Sequence, residues 1–285
     1  MTFRPRRSVL YLPASNPRAI AKARELPCDA VILDLEDAVA PEMKSAAREA
    51  AVAAAGEAFG RRELIVRANG LETEWGADDL AALGGVKVDA VLIPKVSRAD
   101  DLAAARAALG GATPLWAMVE TCRAMLALRD IVDAAAEHGL EALVAGTNDL
   151  AKEMRCRPGP DRAPLTPLLA QLVMAARAGG LVALDGVSNA IDDPDALERE
   201  ARQGRDLGFD GKTLIHPSQI APANRAFSPT SDEVAWAEKV VAAFAAPEQE
   251  GRGAIRVEGK MVERLHLEEA RRTLALSKNG AAGED

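Results

Sequence analysis

The sequence predicts a (β/α)8 TIM barrel with a C-terminal helical lid extension, and three observations lead to this fold class. Eight short apolar runs recur along the chain, and alanine-rich helical stretches separate them. The runs are continuously apolar, which is typical of parallel strands buried on both faces. No G-x-G-x-x-G motif follows the first run, which disfavours a doubly wound open sheet. Strand and helix alternating eight times over roughly 210 residues fits a barrel.

The elements follow in order along the chain. The predicted strands are rich in Val, Leu and Ile, and they span residues 8–12, 30–34, 63–67, 90–94, 115–119, 142–145, 181–184 and 212–215. The clearest predicted helices are rich in Ala and span residues 41–58, 99–109, 123–138, 165–178 and 194–207.

The pattern changes after Pro217. We therefore assign residues 1–225 to the catalytic barrel and residues 226–285 to a C-terminal lid and oligomerisation segment. Thr230 or Ser231 is followed by acidic residues and predicts a helix start, with the helix reaching about residue 246. A short extended piece is predicted at residues 254–257, and helix again at residues 259–276.

The composition narrows the class of function. Hydrophobic residues make up 48% of the 285 residues but aromatic residues only 3%, so the core is built from small aliphatic side chains. The net charge of -8 argues against a nucleic-acid partner, which needs a basic surface. Three cysteines without a C-x-x-C spacing are no disulfide framework, which favours a cytoplasmic protein. No apolar run is long enough to indicate a membrane span.

Polar residues follow nearly every predicted strand. They are Ser15, Asn16, Asp34, Glu36, Asp37, Arg67, Asn69, Lys95, Glu120, Asn148, Asp149, Asp185 and His216. The amino-terminal ends of the strands carry fewer such residues. Because TIM-barrel enzymes place their chemistry at the carboxyl ends of the strands, this asymmetry predicts an active site there.

Two kinds of site are expected at this face. Glu120 and Asp149 follow neighbouring strands, and two carboxylates with open positions for water and substrate are typical of Mg2+. The alternative is that these acids pair with Arg67 or Lys95. Arg67 ends a buried strand and suits a bidentate grip on a ligand carboxylate, although it is also a natural partner for Asp34, Glu36 or Asp37. His216 is a conceivable base or a structural residue.

An ordered set of segments resembles the citrate lyase β-subunit-like family of CoA-ester lyases, within the HpcH/HpaI aldolase superfamily. The set includes S-V-L-Y-L-P from Ser8, D-L-E-D-A-V from Asp34, V-R-A-N-G from Val66, I-P-K-V from Ile93, V-E-T from Val119, G-F-D-G-K from Gly208 and I-H-P-S-Q from Ile215. No single segment is specific, but the order is. The stretches 73–76, 115–121 and 146–153 look closest to the malyl-CoA lyase and malyl-CoA thioesterase branch.

The resemblance implies roles for individual residues. It implies Mg2+ on Glu120 and Asp149, and the carboxylate of a 2-oxo acid on Arg67. The remaining residues that we assign to the site are Asp37 as catalytic, Glu36, Pro13, Ser15 and Lys95 as substrate-binding, and Arg7, Arg18 and Lys22 as contacts of the CoA phosphates. A solvated basic edge is the alternative for the last three.

The resemblance also implies the reaction. A Mg2+-dependent lyase would cleave a 3-hydroxyacyl-CoA, such as malyl-CoA, citramalyl-CoA or methylmalyl-CoA, to an acyl-CoA and a 2-oxo acid. The alternative is a thioesterase that hydrolyses malyl-CoA to malate and CoA. Family lyases usually have Asp where this chain has Glu263, the expected catalytic acid or base. Relatives are commonly trimers or hexamers in which this segment covers a neighbouring subunit, so a homotrimer or homohexamer is expected. A regulatory subunit and an aldolase acting on free acids are the rival classes.

Overall fold

The strands of the barrel occur where the sequence predicts them. The computed structural model describes residues 4–246 and 251–281, with side chains to residue 278. The chain divides into two compact units, one of residues 6–224 and one of the residues from 225 onward with the first residues up to Pro5. Each unit is described separately below.

The first unit is a closed barrel of eight parallel strands in sequence order. The strands are β1 (Ser8–Pro13), β2 (Ala30–Asp34), β3 (Glu63–Arg67), β4 (Ala90–Ile93), β5 (Leu115–Val119), β6 (Leu140–Ala145), β7 (Val182–Asp185) and β8 (Gly211–Leu214). Their pairing places Pro13 beside Asp34, and Asp34 beside Arg67. The predicted TIM barrel is therefore confirmed.

Helices follow the strands and form the outer layer. They are α1 (Pro17–Ala23), α2 (Lys44–Ala55), α3 (Gly76–Leu83), α4 (Ala99–Leu109), α5 (Cys122–Asp133), α6 (Ala135–His138), α7 (Thr147–Met154), α8 (Thr166–Ala178) and α9 (Pro194–Leu207). Two predicted helices are interrupted. A 3-10 turn occupies Pro41–Met43 before α2, and the continuous helix expected over residues 123–138 divides at Ala134 into α5 and α6.

The barrel interior is filled by alternate residues of the strands. Val9, Trp116 and Met118 belong to one apolar cluster inside the barrel, and Tyr11 packs against it. At the amino-terminal end, the Arg6 guanidinium lies 5.0 Å from the centre of the Trp116 ring. These side chains fill the interior below the carboxyl ends of the strands.

A buried ionic cluster joins the barrel wall to α9. Lys212 and Asp185 are both fully buried, and the Lys212 Nζ lies 3.1 Å from Asp185 Oδ2 and 2.7 Å from Glu200 Oε1. Arg162 donates to both Asp185 oxygens, at 2.8 and 3.0 Å. The lysine of the G-F-D-G-K segment therefore has a structural role in the wall.

The second unit contains two long helices and a hairpin. After α10 (Ile220–Phe227), which spans the boundary, come α11 (Ser231–Ala245), β9 (Ala254–Val257), β10 (Lys260–Glu263) and α12 (Arg264–Ala281). Thr230 caps α11, with its hydroxyl accepting from Glu233 N, as predicted. Within the described ranges, no helix combines the length and the apolar character needed to span a bilayer.

The helix predicted for residues 259–276 is wrong at its start. Residues 260–263 form β10, which pairs antiparallel with β9, and the helix begins only at Arg264. Glu258 and Gly259 both have positive φ, 47° and 82°, as a two-residue hairpin turn requires. In β10 only Val262 is buried. The paired strand β9 does alternate, with Ile255 and Val257 buried and the two other residues exposed, as in a strand with one buried face.

Candidate active site

A cavity of about 280 Å3 opens at the carboxyl ends of the barrel strands. Its wall includes Tyr11, Asp37, Arg67, Met118, Glu120 and Asp149. Asp34, Asn148 and Asn189 also line it. The structure thus brings together four residues that the sequence assigns to the site, namely Asp37, Arg67, Glu120 and Asp149.

Arg67 is held in place by the carboxylate beside it in the sheet. Its Nε and Nη2 donate to the two oxygens of Asp34, both at 2.7 Å. Asp34 is itself fixed, because it also accepts from the backbone N–H groups of Glu36 and Ala38, both at 2.9 Å. The guanidinium further contacts Asp37 through Nη1 at 3.2 Å. Both of the alternatives considered for Arg67 are therefore compatible, since the acids orient a group that still faces the cavity.

The Arg67 side chain stays charged. It is only 6% exposed, and burial alone would lower its pKa, but Asp34 and then Tyr11 and Glu36 hold its pKa well above the usual value. The Tyr11 ring lies beneath it, with its centre 4.9 Å from the guanidinium carbon. A fixed cation in this position suits an anionic ligand.

Glu120 lies at the end of β5 and is almost fully buried, with 1% exposure. Its Oε1 accepts from Lys95 N at 2.7 Å. Gly146 makes room for it, because a Cβ at Gly146 would lie 2.7 Å from Glu120 Oε2. Burial, followed by the charges of Glu36 and Asp149, raises the pKa of Glu120 to about 8.

Lys95 has an unusual backbone conformation next to this acid. Its φ is 53°, in the left-handed region that a residue with a Cβ enters at a cost of about 1–2 kcal/mol. This conformation accompanies the hydrogen bond from its N–H to Glu120. Its ammonium lies 3.3 Å from Glu36 Oε1, and although burial opposes it, Glu36 raises the pKa of Lys95.

Glu36 adds a second buried acid beside Arg67. Its Oε2 is 2.9 Å from Arg67 Nη1, yet it has no hydrogen-bond donor among the described residues, so the contact is an ion pair only. Burial raises the pKa of Glu36, while Arg67 opposes the shift. Excess negative charge and an unsatisfied oxygen therefore lie on this side of the site.

Asp149 lies in the first turn of α7 and completes the acidic wall. Beside it, Asn148 and Asn189 exchange two hydrogen bonds between their amide groups, at 3.3 and 2.8 Å. Glu120 and Asp149 supply the carboxylate oxygens that a hard divalent cation prefers. In the described part of the chain, no group of three or more His, Cys, Asp or Glu side chains is arranged to hold a metal ion. Water and ligand atoms would therefore complete the coordination shell of an ion bound by Glu120 and Asp149.

A network of hydrogen bonds that the sequence does not predict supports the loop 34–38. The Lys44 Nζ donates to Leu35 O, Glu36 O and Asn69 Oδ1 at 2.7, 2.6 and 2.8 Å. Asn69 in turn donates to Asp79 Oδ2 at 2.6 Å. Lys44 is only 6% exposed, although a lysine in an alanine-rich helix resembles a surface residue. No signal in the sequence identifies it.

Some predicted contacts are placed elsewhere. The prediction that Arg7 contacts the CoA phosphates is wrong. Arg7 lies before β1 at the amino-terminal end of the barrel and is only 5% exposed. Its Nε and Nη2 donate to Asp29 at 2.8 and 2.9 Å, so it is not available to a CoA phosphate. Arg18 and Lys22 are exposed on α1. Pro13 is the last residue of β1, Ser15 follows two residues later, and both are half-buried.

Glu263 belongs to the second unit. It is the last residue of β10 and is exposed, and its backbone N–H donates to His266 Nδ1 at 2.9 Å. His216, the other possible base, caps a 3-10 turn and contacts Ser218 Oγ at 2.7 Å through Nδ1, which supports its structural interpretation.

The comparisons with known proteins agree with this geometry. The family model described as HpcH/HpaI aldolase/citrate lyase matches residues 7–217. The chain belongs to the HpcH/HpaI aldolase/citrate lyase family. This confirms the resemblance seen in the sequence.

Relatives in the HpcH/HpaI family match nearly end to end. A (3S)-malyl-CoA thioesterase from Cereibacter sphaeroides is 51% identical over 279 residues, which cover 98% of this chain and 96% of the relative. The citrate lyase subunit beta of Escherichia coli K12 is 33% identical, with 95% and 93% covered. The structure of CitE from Mycobacterium tuberculosis with magnesium, acetoacetate and coenzyme A has a TM-score of 0.78 at 32% identity, with 96% of this chain and 98% of that chain covered.

Proposed function

We propose that this protein is a Mg2+-dependent thioesterase that hydrolyses a malyl-CoA thioester to malate and CoA. The observation that carries the proposal is the 51% identity, over nearly the whole of both chains, to a protein named (3S)-malyl-CoA thioesterase. The cavity with Arg67, Glu120 and Asp149 supports it. This reverses the order of the two reactions favoured by the sequence alone.

Glu120 and Asp149 are the proposed Mg2+ ligands. The side chains fit the ion, because the site holds buried acids whose mutual repulsion a cation would relieve, and because Glu36 Oε2 lacks a donor. Structures of the related CitE contain magnesium. When bound, the ion would act as a Lewis acid toward the oxygens of the acyl group.

Arg67 is the proposed anchor for the free carboxylate of the malyl group. A guanidinium has five N–H donors, and Asp34 and Asp37 together engage three of them. A fourth N–H, on Nη1, faces the weak acceptor Met118 Sδ at 3.7 Å. Nη2 therefore keeps one free N–H, and Nη1 can supply the second one of a bidentate grip when the ligand replaces Asp37. Asp37 is 67% exposed in its side chain, so an incoming carboxylate can replace it at low cost.

Glu263 is the proposed general base. In hydrolysis its carboxylate would take a proton from the water that attacks the thioester carbonyl. We further propose a homotrimer or homohexamer, in which a neighbouring subunit supplies this residue. The Glu263 side chain is exposed, and the Glu263 backbone is fixed by the hydrogen bond from its N–H to His266 Nδ1. Both observations support a role for this side chain in the site of a neighbouring subunit.

The thiol half of the substrate needs contacts for its phosphates. Arg18 and Lys22 remain the proposed contacts, since both are exposed one helical turn apart on α1. Glu36 and Lys95 form an ion pair beside Arg67, and we propose that they, with Pro13 and Ser15, shape the substrate site. Arg7 is withdrawn from this set.

Cleavage is the second candidate, because citrate lyase beta subunits are 30–33% identical to this chain. In cleavage Glu263 would protonate the thioester enolate. Glu carries its carboxylate one methylene farther than Asp, and a displacement of about 1 Å can cost about a hundredfold in rate. The longer side chain therefore favours attack by water over transfer to carbon.

The deciding experiment incubates the enzyme with MgCl2 and malyl-CoA and separates the products. Malate with free CoA supports hydrolysis, and glyoxylate with acetyl-CoA supports cleavage. Absence of all four products would refute both. The variant Glu263→Gln should abolish turnover while Mg2+ binding, measured by calorimetry, is retained. Glu263→Asp should raise the share of cleavage products, and an unchanged share would contradict the role assigned to side-chain length.

A further inference from the structure

The floor of the cavity is made by two side chains from opposite sides of the barrel. β1 and β5 are four strands apart in the closed eight-strand order, and Tyr11 and Met118 point inward from them. The Tyr11 hydroxyl lies 3.9 Å from Met118 Sδ. Both residues line the cavity. Together they separate it from the packed interior around Trp116.

Among the described residues, the Tyr11 hydroxyl has only a weak acceptor, Met118 Sδ. A thioether sulfur accepts hydrogen bonds poorly, whereas a buried tyrosine usually finds a good partner for its O–H. Arg67 Nη1 lies 3.7 Å from the same sulfur, so the hydroxyl and the guanidinium converge on Met118 Sδ in the wall of the cavity. Burial raises the pKa of Tyr11 above its usual value. The charge of Arg67 opposes this shift, and the charges of Asp34 and Glu120 add to it. The phenol therefore remains a donor.

We propose that Tyr11 is a substrate-binding residue whose hydroxyl donates a hydrogen bond to a carboxylate oxygen of the ligand held by Arg67. The ligand class, a short 2-hydroxy or 2-oxo acid or its thioester, rests on the proposed function. The convergence of the phenol and the guanidinium does not.

This contact would determine specificity. Without the hydroxyl, the floor under Arg67 would consist of an aromatic ring and a thioether, which offer a carboxylate nothing. With it, a carboxylate finds a donor from below as well as the N–H groups of Arg67. A neutral amide of the same shape would gain less, because hydrogen bonds to a charged group are stronger.

The single tyrosine of the chain makes a direct test possible. Protein labelled with 3-fluorotyrosine gives one 19F resonance, and it is titrated with malate in the presence of excess MgCl2. We expect a saturable change in its chemical shift. Malamide, the neutral diamide of malate, should give no comparable change. The variant Met118→Leu should keep the response to malate, because the hydroxyl is still present.

Calorimetry on Tyr11→Phe supplies the second measurement. Removing only the hydroxyl should weaken malate binding by about ten- to hundredfold, the range for hydrogen bonds to charged groups. The thermal midpoint should remain close to that of the wild type, since the hydroxyl has no strong partner in the fold. A conformational role alone would lower the midpoint and leave the affinity unchanged.

The inference is overturned if the 19F resonance does not respond to malate, if malamide moves it equally, or if Tyr11→Phe binds malate as tightly as the wild type. Failure of the proposed function is recognised separately. A protein that binds malate through Tyr11 but forms no product from malyl-CoA keeps the inference and loses the thioesterase. A protein that turns over malyl-CoA but whose 19F resonance does not respond to malate keeps the thioesterase and loses the inference on Tyr11.

Discussion

Replacing Lys212 with methionine should destabilise the barrel strongly, although the residue does not line the cavity. The substitution keeps the approximate length of the side chain and removes the cation. Asp185, which is fully buried, then loses the ammonium at 3.1 Å but keeps Arg162 at 2.8 and 3.0 Å and its bond from Gly186 N at 2.8 Å.

The magnitude follows from this partial loss. Breaking a buried ion pair by removing one partner costs about 3–5 kcal/mol, and the remaining Arg162 places the expected cost near the lower end, at about 3 kcal/mol. For a unit of this size each kcal/mol corresponds to about 2–4 °C, so the thermal midpoint should fall by roughly 6–12 °C. Circular dichroism measures the midpoint, and urea unfolding measures the free energy where it is reversible.

The dependence on pH gives a sharper test. In the wild type, burial would raise the pKa of Asp185, but Lys212 and Arg162 outweigh burial and lower it. A lowered folded pKa contributes stability above the unfolded pKa and loses it as the pH falls through the folded value. In Lys212→Met the folded pKa of Asp185 is higher than in the wild type, so the deficit relative to the wild type should shrink as the pH falls to about 4 and below, where this carboxylate becomes protonated.

The control is Arg202→Met on α9, where the ion pair with Glu198 is exposed and should contribute less than about 0.5 kcal/mol. A loss below 1 kcal/mol in Lys212→Met, or a deficit that does not change with pH, would refute the reasoning on the buried pair.

Three further predictions concern the site and the cysteines. Arg67→Lys removes the bidentate contact with Asp34 and should lower kcat/KM for malyl-CoA by about ten- to hundredfold; equal kinetics would contradict the anchoring role. Both Lys95→Gly and Lys95→Val remove the ammonium, but only valine is strained at the φ of 53° that residue 95 adopts. Lys95→Val should therefore weaken Mg2+ binding at Glu120 more than Lys95→Gly, as measured by calorimetry. Burial, against Arg62, raises the pKa of the Cys28 thiol to about 11, so iodoacetamide at pH 8 should label the other two cysteines first; mass spectrometry showing early labelling of Cys28 would disprove its protection.

The barrel could be predicted because its strands are read from local composition. A run such as residues 30–33 is apolar throughout, and burial on both faces explains it. The carboxyl ends then follow from strand direction alone, which is why Arg67 and Glu120 line one cavity. The same rule, applied to Arg7, would have placed that residue at the opposite end, since it precedes its strand.

Other features depend on contacts that no local pattern encodes. Lys44 is in an alanine-rich helix, and its role arises from carbonyl groups presented by a loop eight to nine residues earlier. The β10 strand is only four residues long and only Val262 in it is buried, so no alternating pattern distinguishes it from the helix that follows. The Tyr11–Met118 contact joins residues 107 positions apart, which only the closure of the barrel brings together.

The filled amino-terminal end of the barrel determines the side from which a ligand enters and leaves. Arg6 lies across Trp116 and is bonded to Glu63 at 2.6 and 2.8 Å, so a molecule seated on Arg67 has to enter and leave on the same side. A ligand whose short head reaches the floor leaves its long tail in the only approach that the barrel itself provides. For the proposed malyl-CoA substrate, we therefore expect CoA to leave first and the malate beneath it second.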